Sequence, residues 1–343
     1  MQYEITLRNW RCFQNSCFSL PTNSFFVCDD NGTGKTSLIS GIYSLYTKQA
    51  WQNYSFKDCL KSGENYFGIS SDKFFLNGIY GPRLSLKWQP PTDILEIYTY
   101  TPFDNYWLDH SRGEKLKILD NLLSQVFGQE YQKALKNLGK TVVSKSSLLK
   151  RNLENHNPEN LKILREFTKQ IFEYSSILWS FRKQFWDTLK LKLPEFGTWI
   201  NLELKNWQID WLVTNSTTKT LFRQGADIDL NKILQVEMLV GQVLFGAQRD
   251  DFSFVSNFCQ IQKILSRGET RLFVLFVKFV ASEITKKDSL WLLDDIFNEL
   301  DPQKEQLLFD KILSKVTFIA TGTKPNSQIP TYSLENLKKK ILN

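Results

Sequence analysis

Residues 29–37 read Asp29-Asp30-Asn31-Gly32-Thr33-Gly34-Lys35-Thr36-Ser37, and they constrain this chain more than any other stretch. The apolar run Phe25-Phe26-Val27-Cys28 precedes them, and Leu38, Ile39, Ile42 and Leu45 follow at helical spacing. A glycine-rich loop between a buried strand and an amphipathic helix aims backbone N–H groups and the positive end of a helix dipole at an anion. Gly32 and Gly34 allow the tight turn, Lys35 reaches the β- and γ-phosphates of ATP, and Thr36 offers a hydroxyl to Mg2+. Asn31, Thr33 and Ser37 complete the candidate nucleotide-binding set of this loop. The full pattern has glycine where Asp29 stands. A carboxylate there is expected to repel a triphosphate, so that Asp29→Gly would tighten binding. A chance Gly-Lys-Thr turn before a helix is the plainer alternative.

Three further segments follow in a fixed order. Leu265-Ser266-Arg267-Gly268-Glu269 stands directly before an apolar helix, Thr270 to Ile284. Ser266 and Gly268 there would present a hydroxyl and N–H groups to a phosphate, although a Ser-capped helix alone has the same look. Leu290-Trp291-Leu292-Leu293 reads as a buried strand that ends in Asp294-Asp295, followed by Ile296-Phe297-Asn298-Glu299-Leu300-Asp301. Asp294 is placed to hold Mg2+ with Thr36, and Asp295 to orient or deprotonate the attacking water, which gives Lys35, Asp294 and Asp295 as the catalytic set. Loop, signature and acidic strand end in this order match ABC-type ATPases. In those proteins the signature of one subunit caps the nucleotide of another, which implies a homodimer formed on ATP binding.

The expected fold is α/β: an ABC-type P-loop ATPase head with an inserted helical lobe. Residues 1–103 and 236–343 form the head, and 104–235 the mainly helical insertion. The length of 343 residues suits two lobes. Leu116, Leu119, Leu122, Leu123 and Val126 mark one helix, and Ile163 through Phe185 a longer one, with a linker around Pro158 and an end at Pro194 and Gly197. Asn77-Gly78 between apolar runs suggests a hairpin turn. Five cysteines with no CxxC pair, and two histidines, argue against a structural zinc site and fit reduced thiols in the cytoplasm. The start of the chain lacks the features of a signal peptide, and Leu272 to Ile284, interrupted by Lys278, is too short to span a bilayer, so no membrane is expected.

The chain also resembles the RecF family. Leu7-Arg8-Asn9-Trp10-Arg11, Lys61-Ser62-Gly63-Glu64, Tyr100-Thr101-Pro102-Phe103-Asp104, Gly113 to Asp120 and Gly246-Ala247-Gln248-Arg249-Asp250-Asp251 carry the likeness, from about residue 3 to 322. Departures are Asp29 for Gly, Gln248 for His, Lys115 and Lys117 for arginines, and a missing Gly and Arg pair in Thr47–Trp51. The resemblance implies a DNA replication, recombination and repair ATPase that binds ATP and single-stranded or gapped DNA, supports recombinase loading and the SOS response, and works with mediator proteins of the RecO and RecR type. A DNA- or protein-binding scaffold with a degenerate phosphate loop and little hydrolysis is the alternative. Pro158 and Pro194 break any long heptad run and disfavour an SMC-like arm.

A formal charge of +7 is compatible with a polyanionic partner without requiring one. From Arg112 to Arg151 nine basic residues face three acidic ones, and Lys133, Lys136 and Lys140 are the candidate DNA contacts, a solvated helix face being the alternative. Arg11, in the opening turn, is a further candidate for the nucleotide phosphates. Asp104 marks either a sensing loop or a plain turn, and Arg249-Asp250-Asp251 reads as a structural ion pair.

Overall fold

The computed structural model describes residues 3–52, 54–91, 95–154, 158–200, 207–212, 229–256, 259–298 and 300–339. The chain forms two compact units, Met1–Asn105 with Lys286–Asn343, and Tyr106–Thr285. Residues 236–285 thus fall in the second unit.

The first unit holds two sheets. Antiparallel β1 (Tyr3–Trp10), β2 (Phe13–Leu20), β4 (Tyr66–Ser70), β5 (Phe75–Tyr80) and β6 (Leu84–Gln89) run in the order β14-β2-β1-β4-β5-β6, with β14 at Lys338–Lys339. The other sheet is β13-β3-β12-β11-β7, built from β3 (Phe25–Cys28), β7 (Glu96–Tyr100), β11 (Ser289–Leu293), β12 (Thr317–Gly322) and β13 (Thr331–Tyr332). Its pairings are parallel, and its central strands read as apolar runs because both faces are covered. Helix α1 (Lys35–Thr47) lies against strands of both sheets. Leu38, Ile39, Ile42 and Leu45 are buried, and so are Ser37, Ser40, Gly41 and Ser44 on other faces of the helix, as a helix enclosed on several sides requires. At Gly41 a Cβ would stand 2.6 Å from Leu7, so glycine there lets α1 approach β1.

Asn77-Gly78 is not a turn. Both residues lie inside β5, where Gly78 is opposite Phe67. A Cβ on Gly78 would stand 2.2 Å from the Phe67 ring, so this glycine makes room for an aromatic face across the ladder.

The second unit is built on two long helices, α2 (Arg112–Glu154) and α3 (Pro158–Trp199). Helix α2 breaks at Gly128, whose φ of 66° suits glycine. Pro158 begins α3, the position where its missing N–H costs nothing. Pro194 does not end the helix, which continues to Trp199. Phe196 packs on Phe273 and Phe276, and Trp199 edge-on to Phe276, and this burial outweighs the lost hydrogen bond. Strand β8 (Trp207–Leu212) joins β9 (Asp251–Ser256) and β10 (Cys259–Gln260). The expected strand residues Leu202 and Leu204 lie outside the described residues. Helix α4 (Leu230–Val240) is capped by Asp229, and α5 spans Arg267–Thr285. Back in the first unit, α6 (Pro302–Lys311) and α7 (Leu334–Leu337) complete the helices. Among the described residues no helix is long and apolar enough to cross a membrane.

Candidate functional site

Strands β3, β12 and β11 lie side by side and parallel, so their carboxyl ends open on one edge, where ligands gather in such sheets. The loop after β3 turns on Gly32 (φ 84°) and Gly34 (φ 113°). A Cβ on Gly34 would meet Cys12 Sγ and Phe13 Cζ, each at 2.8 Å, so this position admits only glycine on two counts. Lys35 Nζ donates to the carbonyls of Asp29 and Asp30, both at 2.7 Å, so its ammonium lies over the loop. Thr33 Oγ1 donates to Asp30 O at 2.9 Å, and Asn31, Gly32 and Thr33 are exposed. Ser37 turns the other way. It is buried, and its Oγ accepts from Cys12 Sγ at 3.4 Å.

Residues 258 positions apart meet at the acidic strand end. Thr36 Oγ1 donates to the Asp294 carboxylate, 2.9 Å from Oδ2 and 3.0 Å from Oδ1. Thr321 Oγ1, at the end of β12, donates to Asp294 Oδ1 at 2.7 Å and accepts from Asp295 N at 3.0 Å. Sequence reading missed Thr321, because a lone threonine at the end of a strand carries no motif. Asp294 N donates to Tyr100 O at 2.8 Å, which ties β11 to the end of β7. Burial pushes the Asp294 carboxyl above the usual range, and the neighbouring Asp295 adds to this, whereas the Thr321 and Thr36 hydroxyls and the Arg11 charge oppose it. Asp295 has a left-handed backbone, φ 50°, uncommon for a non-glycine residue. Its Oδ1 is buried with no hydrogen-bond partner among the described residues.

Arg11 belongs to the same neighbourhood. Its backbone is left-handed (φ 49°), its N donates to Cys59 O at 2.8 Å, and its guanidinium lies 5.1 Å from the centre of the Tyr54 ring. Arg11 Nη1 is buried without a partner among the described residues. Hydroxyl and carboxylate oxygens at Thr36 and Asp294, a cation at Lys35 and an unpartnered buried guanidinium nitrogen suit a magnesium–nucleotide pair: hard oxygens for the cation, donors for the phosphates.

Asp29 does not face the loop. Its N donates to Gly322 O at 3.3 Å, and its Oδ2 accepts from Leu334 N at 2.8 Å. Asp104 closes a local turn, its Oδ2 accepting from Thr101 N at 2.7 Å. Asp301 caps α6 through Lys304 N at 2.9 Å, and Glu299 lies outside the described residues.

In the second unit, Ser266 and Glu269 cap α5 reciprocally. Ser266 N donates to Glu269 Oε2 at 2.8 Å, and Glu269 N to Ser266 Oγ at 3.3 Å. The Ser266 hydroxyl accepts in this arrangement and keeps its own proton for an outside acceptor. Ser266 is exposed and Gly268 buried. Lys133, Lys136 and Lys140 are exposed on one face of α2, opposite buried Tyr131, Ala134 and Leu138. Lys145, counted with the basic excess, is fully buried against Glu237. Asp250 and Asp251 are in structural ion pairs, with Arg182 and Lys115 respectively.

No family model matches the chain. The DNA replication and repair protein RecF of Acholeplasma laidlawii is 24% identical over 341 residues, covering 95% of this chain and 94% of that one. RecF of Desulforamulus reducens is 25% identical over 350 residues, covering 93% and 91%. The chain is similar to RecF proteins over nearly its whole length. The solved structure of the recombination mediator protein RecF-ATP in the RecFOR pathway matches with a TM-score of 0.78 at 20% identity, over 99% of this chain and 97% of that one. The corresponding RecF-ATPrS structure gives 0.76 at 19% identity, over 97% and 95%. The fold is that of an ABC-type P-loop ATPase head with a helical insertion, and the RecF likeness runs through both units.

Proposed function

We propose that this RecF-like chain is an ATP-binding and slowly hydrolysing repair ATPase that acts on DNA. The observation that carries the reading is the convergence of Thr36 and Thr321 on Asp294, beside the loop that holds Lys35. In this reading Lys35 and the N–H groups of residues 31–36 hold the phosphates. Thr36 and Asp294 hold Mg2+, which when bound would neutralise phosphate charge. Asp295, with a buried oxygen that has no partner among the described residues, orients the attacking water. Arg11 adds a donor fork from the opening turn.

Ser266, exposed beside the start of α5, and Gly268, buried in its first turn, are proposed to reach the γ-phosphate bound by a second copy through the hydroxyl and the N–H groups of the helix start. Nucleotide then favours the homodimer, because it makes contacts there that the monomer lacks. DNA, gapped or single-stranded, is proposed to contact Lys133, Lys136 and Lys140. Mediators of the RecO and RecR type are the proposed protein partners, in recombinase loading and the SOS response. The scaffold alternative loses its main motive, since the Asp29 carboxylate is occupied by Leu334 N. ATP turnover measured with and without gapped DNA tests the reading. Tight ATP binding with no turnover in either condition would favour the scaffold.

A further inference from the structure

Four carboxylates stand around the Gly246–Asp251 segment of the second unit, and each already has its partners. Asp250 accepts from Arg182 Nη1 at 2.6 Å and from Trp179 Nε1 at 3.0 Å. Asp251 pairs with Lys115 Nζ at 2.9 Å. Asp120 accepts from Arg182 Nη2 at 2.7 Å and from the Tyr131 hydroxyl. Glu237 takes Lys145 and the backbone N–H of Leu244 and Phe245, at 2.7 and 3.1 Å.

Two cations remain. Arg249 is half-buried, and its Nε is buried with no hydrogen-bond partner among the described residues. Arg112 begins α2, and neither arginine has an ion pair among the described residues. They share a neighbourhood. Lys115, one turn beyond Arg112, donates to Phe252 O at 3.0 Å as well as pairing with Asp251, and the turn Ala247–Arg249 packs on α2. Burial first, and then the Arg112 charge, push the Arg249 pKa down, with Glu237 opposing. Two like charges held together, one with a buried idle donor, are costly unless an anion neutralises them.

We propose that Arg112 and Arg249 form an oxyanion site that takes a phosphate group of a nucleic-acid backbone. The guanidinium fork matches two phosphate oxygens, as a lysine cannot. The nucleic-acid source rests on the DNA-binding function proposed above; the oxyanion site itself does not.

The test uses the full chain with Arg112→Gln, Arg249→Gln and Arg249→Lys. Binding of a fluorescein-labelled gapped duplex is followed by anisotropy across a potassium chloride series. Each Gln variant is expected to weaken binding about 3- to 10-fold and to flatten the slope of log affinity against log salt by about one, with Arg249→Lys in between. Without DNA the Gln variants melt no lower than the unmodified chain, since repulsion is relieved, whereas a purely structural arginine gives a lower Tm. If Arg249→Gln fails to fold, Arg112→Gln carries the test from its position on the first helical turn. In parallel, inorganic phosphate is compared with chloride at equal ionic strength, and is expected to raise the Tm of the unmodified chain more than that of the variants. Phosphate-specific stabilisation lost in the variants, with an unchanged DNA slope, overturns the nucleic-acid source and keeps the oxyanion site. If the chain binds no DNA at all, the phosphate comparison still decides the site. Unchanged DNA binding together with no phosphate-specific stabilisation overturns the proposal.

Discussion

The Asp29 carboxylate accepts a hydrogen bond from Leu334 N at 2.8 Å, joining the first residue of the phosphate loop to the start of α7. This contact turns the negative side chain away from the loop and reverses the expectation from sequence. Asp29→Asn keeps an acceptor and removes the charge, and ATP affinity should stay within about twofold. Asp29→Gly removes the acceptor and should destabilise the fold by about 1 kcal/mol, the usual value of one such bond. Calorimetric ATP titrations and thermal melts check both. A tenfold gain in affinity for Asp29→Asn would mean that the carboxylate faces the nucleotide.

Lys35→Ala removes the ammonium now shared between the Asp29 and Asp30 carbonyls. ATP binding should be lost at concentrations that saturate the unmodified protein, because no other lysine stands in the loop. Fluorescent nucleotide binding reads this directly. Undiminished affinity would move the site away from residues 29–37.

Thr321→Val deletes a buried hydroxyl that bonds Asp294 and receives Asp295 N. The expected result is a fall in kcat of about tenfold with KM for ATP little changed, since the hydroxyl aims the acids without touching the nucleotide. Thr321→Ser should restore most of the rate. Equal losses in both variants would point to packing of the methyl group instead.

Asp294 is held with a raised pKa, so the folded state binds its proton more tightly than the unfolded chain does. Its contribution to stability is therefore favourable below the ordinary carboxylate range and is lost as pH rises through the raised value. At neutral pH, Asp294→Asn should raise the Tm of the nucleotide-free protein while abolishing Mg2+-dependent hydrolysis. A lower Tm would show that the two threonine hydrogen bonds outweigh desolvation.

Asp295→Asn should leave ATP bound and stop turnover, so that the nucleotide-bound dimer accumulates. Size-exclusion chromatography with light scattering, run in ATP, measures the dimer fraction. A variant that binds ATP and remains monomeric would count against closure by a second copy.

The glycine-rich loop after β3 and the acidic end of β11 were legible because each shows as particular residue types at fixed spacing beside an apolar run. Lys35 lies over that loop and Thr36 meets Asp294 beside it, and the start of α5 is capped by Ser266. Other features depend on contacts between distant residues. Asn77-Gly78 has the residues of a turn, but Gly78 is small to receive Phe67 from the next strand. Pro194 breaks helices by local rules, yet aromatic packing around Phe196 and Trp199 carries α3 past it. Thr321 and the Leu334 partner of Asp29 could not be read at all, since Thr321 matters only through the acids on the neighbouring strand, and Leu334 only through a residue 305 positions away. Within Arg249-Asp250-Asp251, the two acids are in structural ion pairs as expected, and only the structure separates Arg249 from them.

The strand that feeds the phosphate loop, β3, is paired on its two sides by β12 and β13. Both are made about three hundred residues after β3. At roughly 5–20 residues per second, Phe25, Phe26 and Val27 wait on the order of 15–60 seconds for their neighbours. During that time an apolar strand has two open edges, the condition that invites pairing with a wrong chain. The intervening second unit contributes neither neighbour of β3. A nascent chain of this protein thus has reason to be held by a chaperone until Gly322 has left the ribosome, and a truncation before β12 should yield aggregates instead of a weakened ATPase.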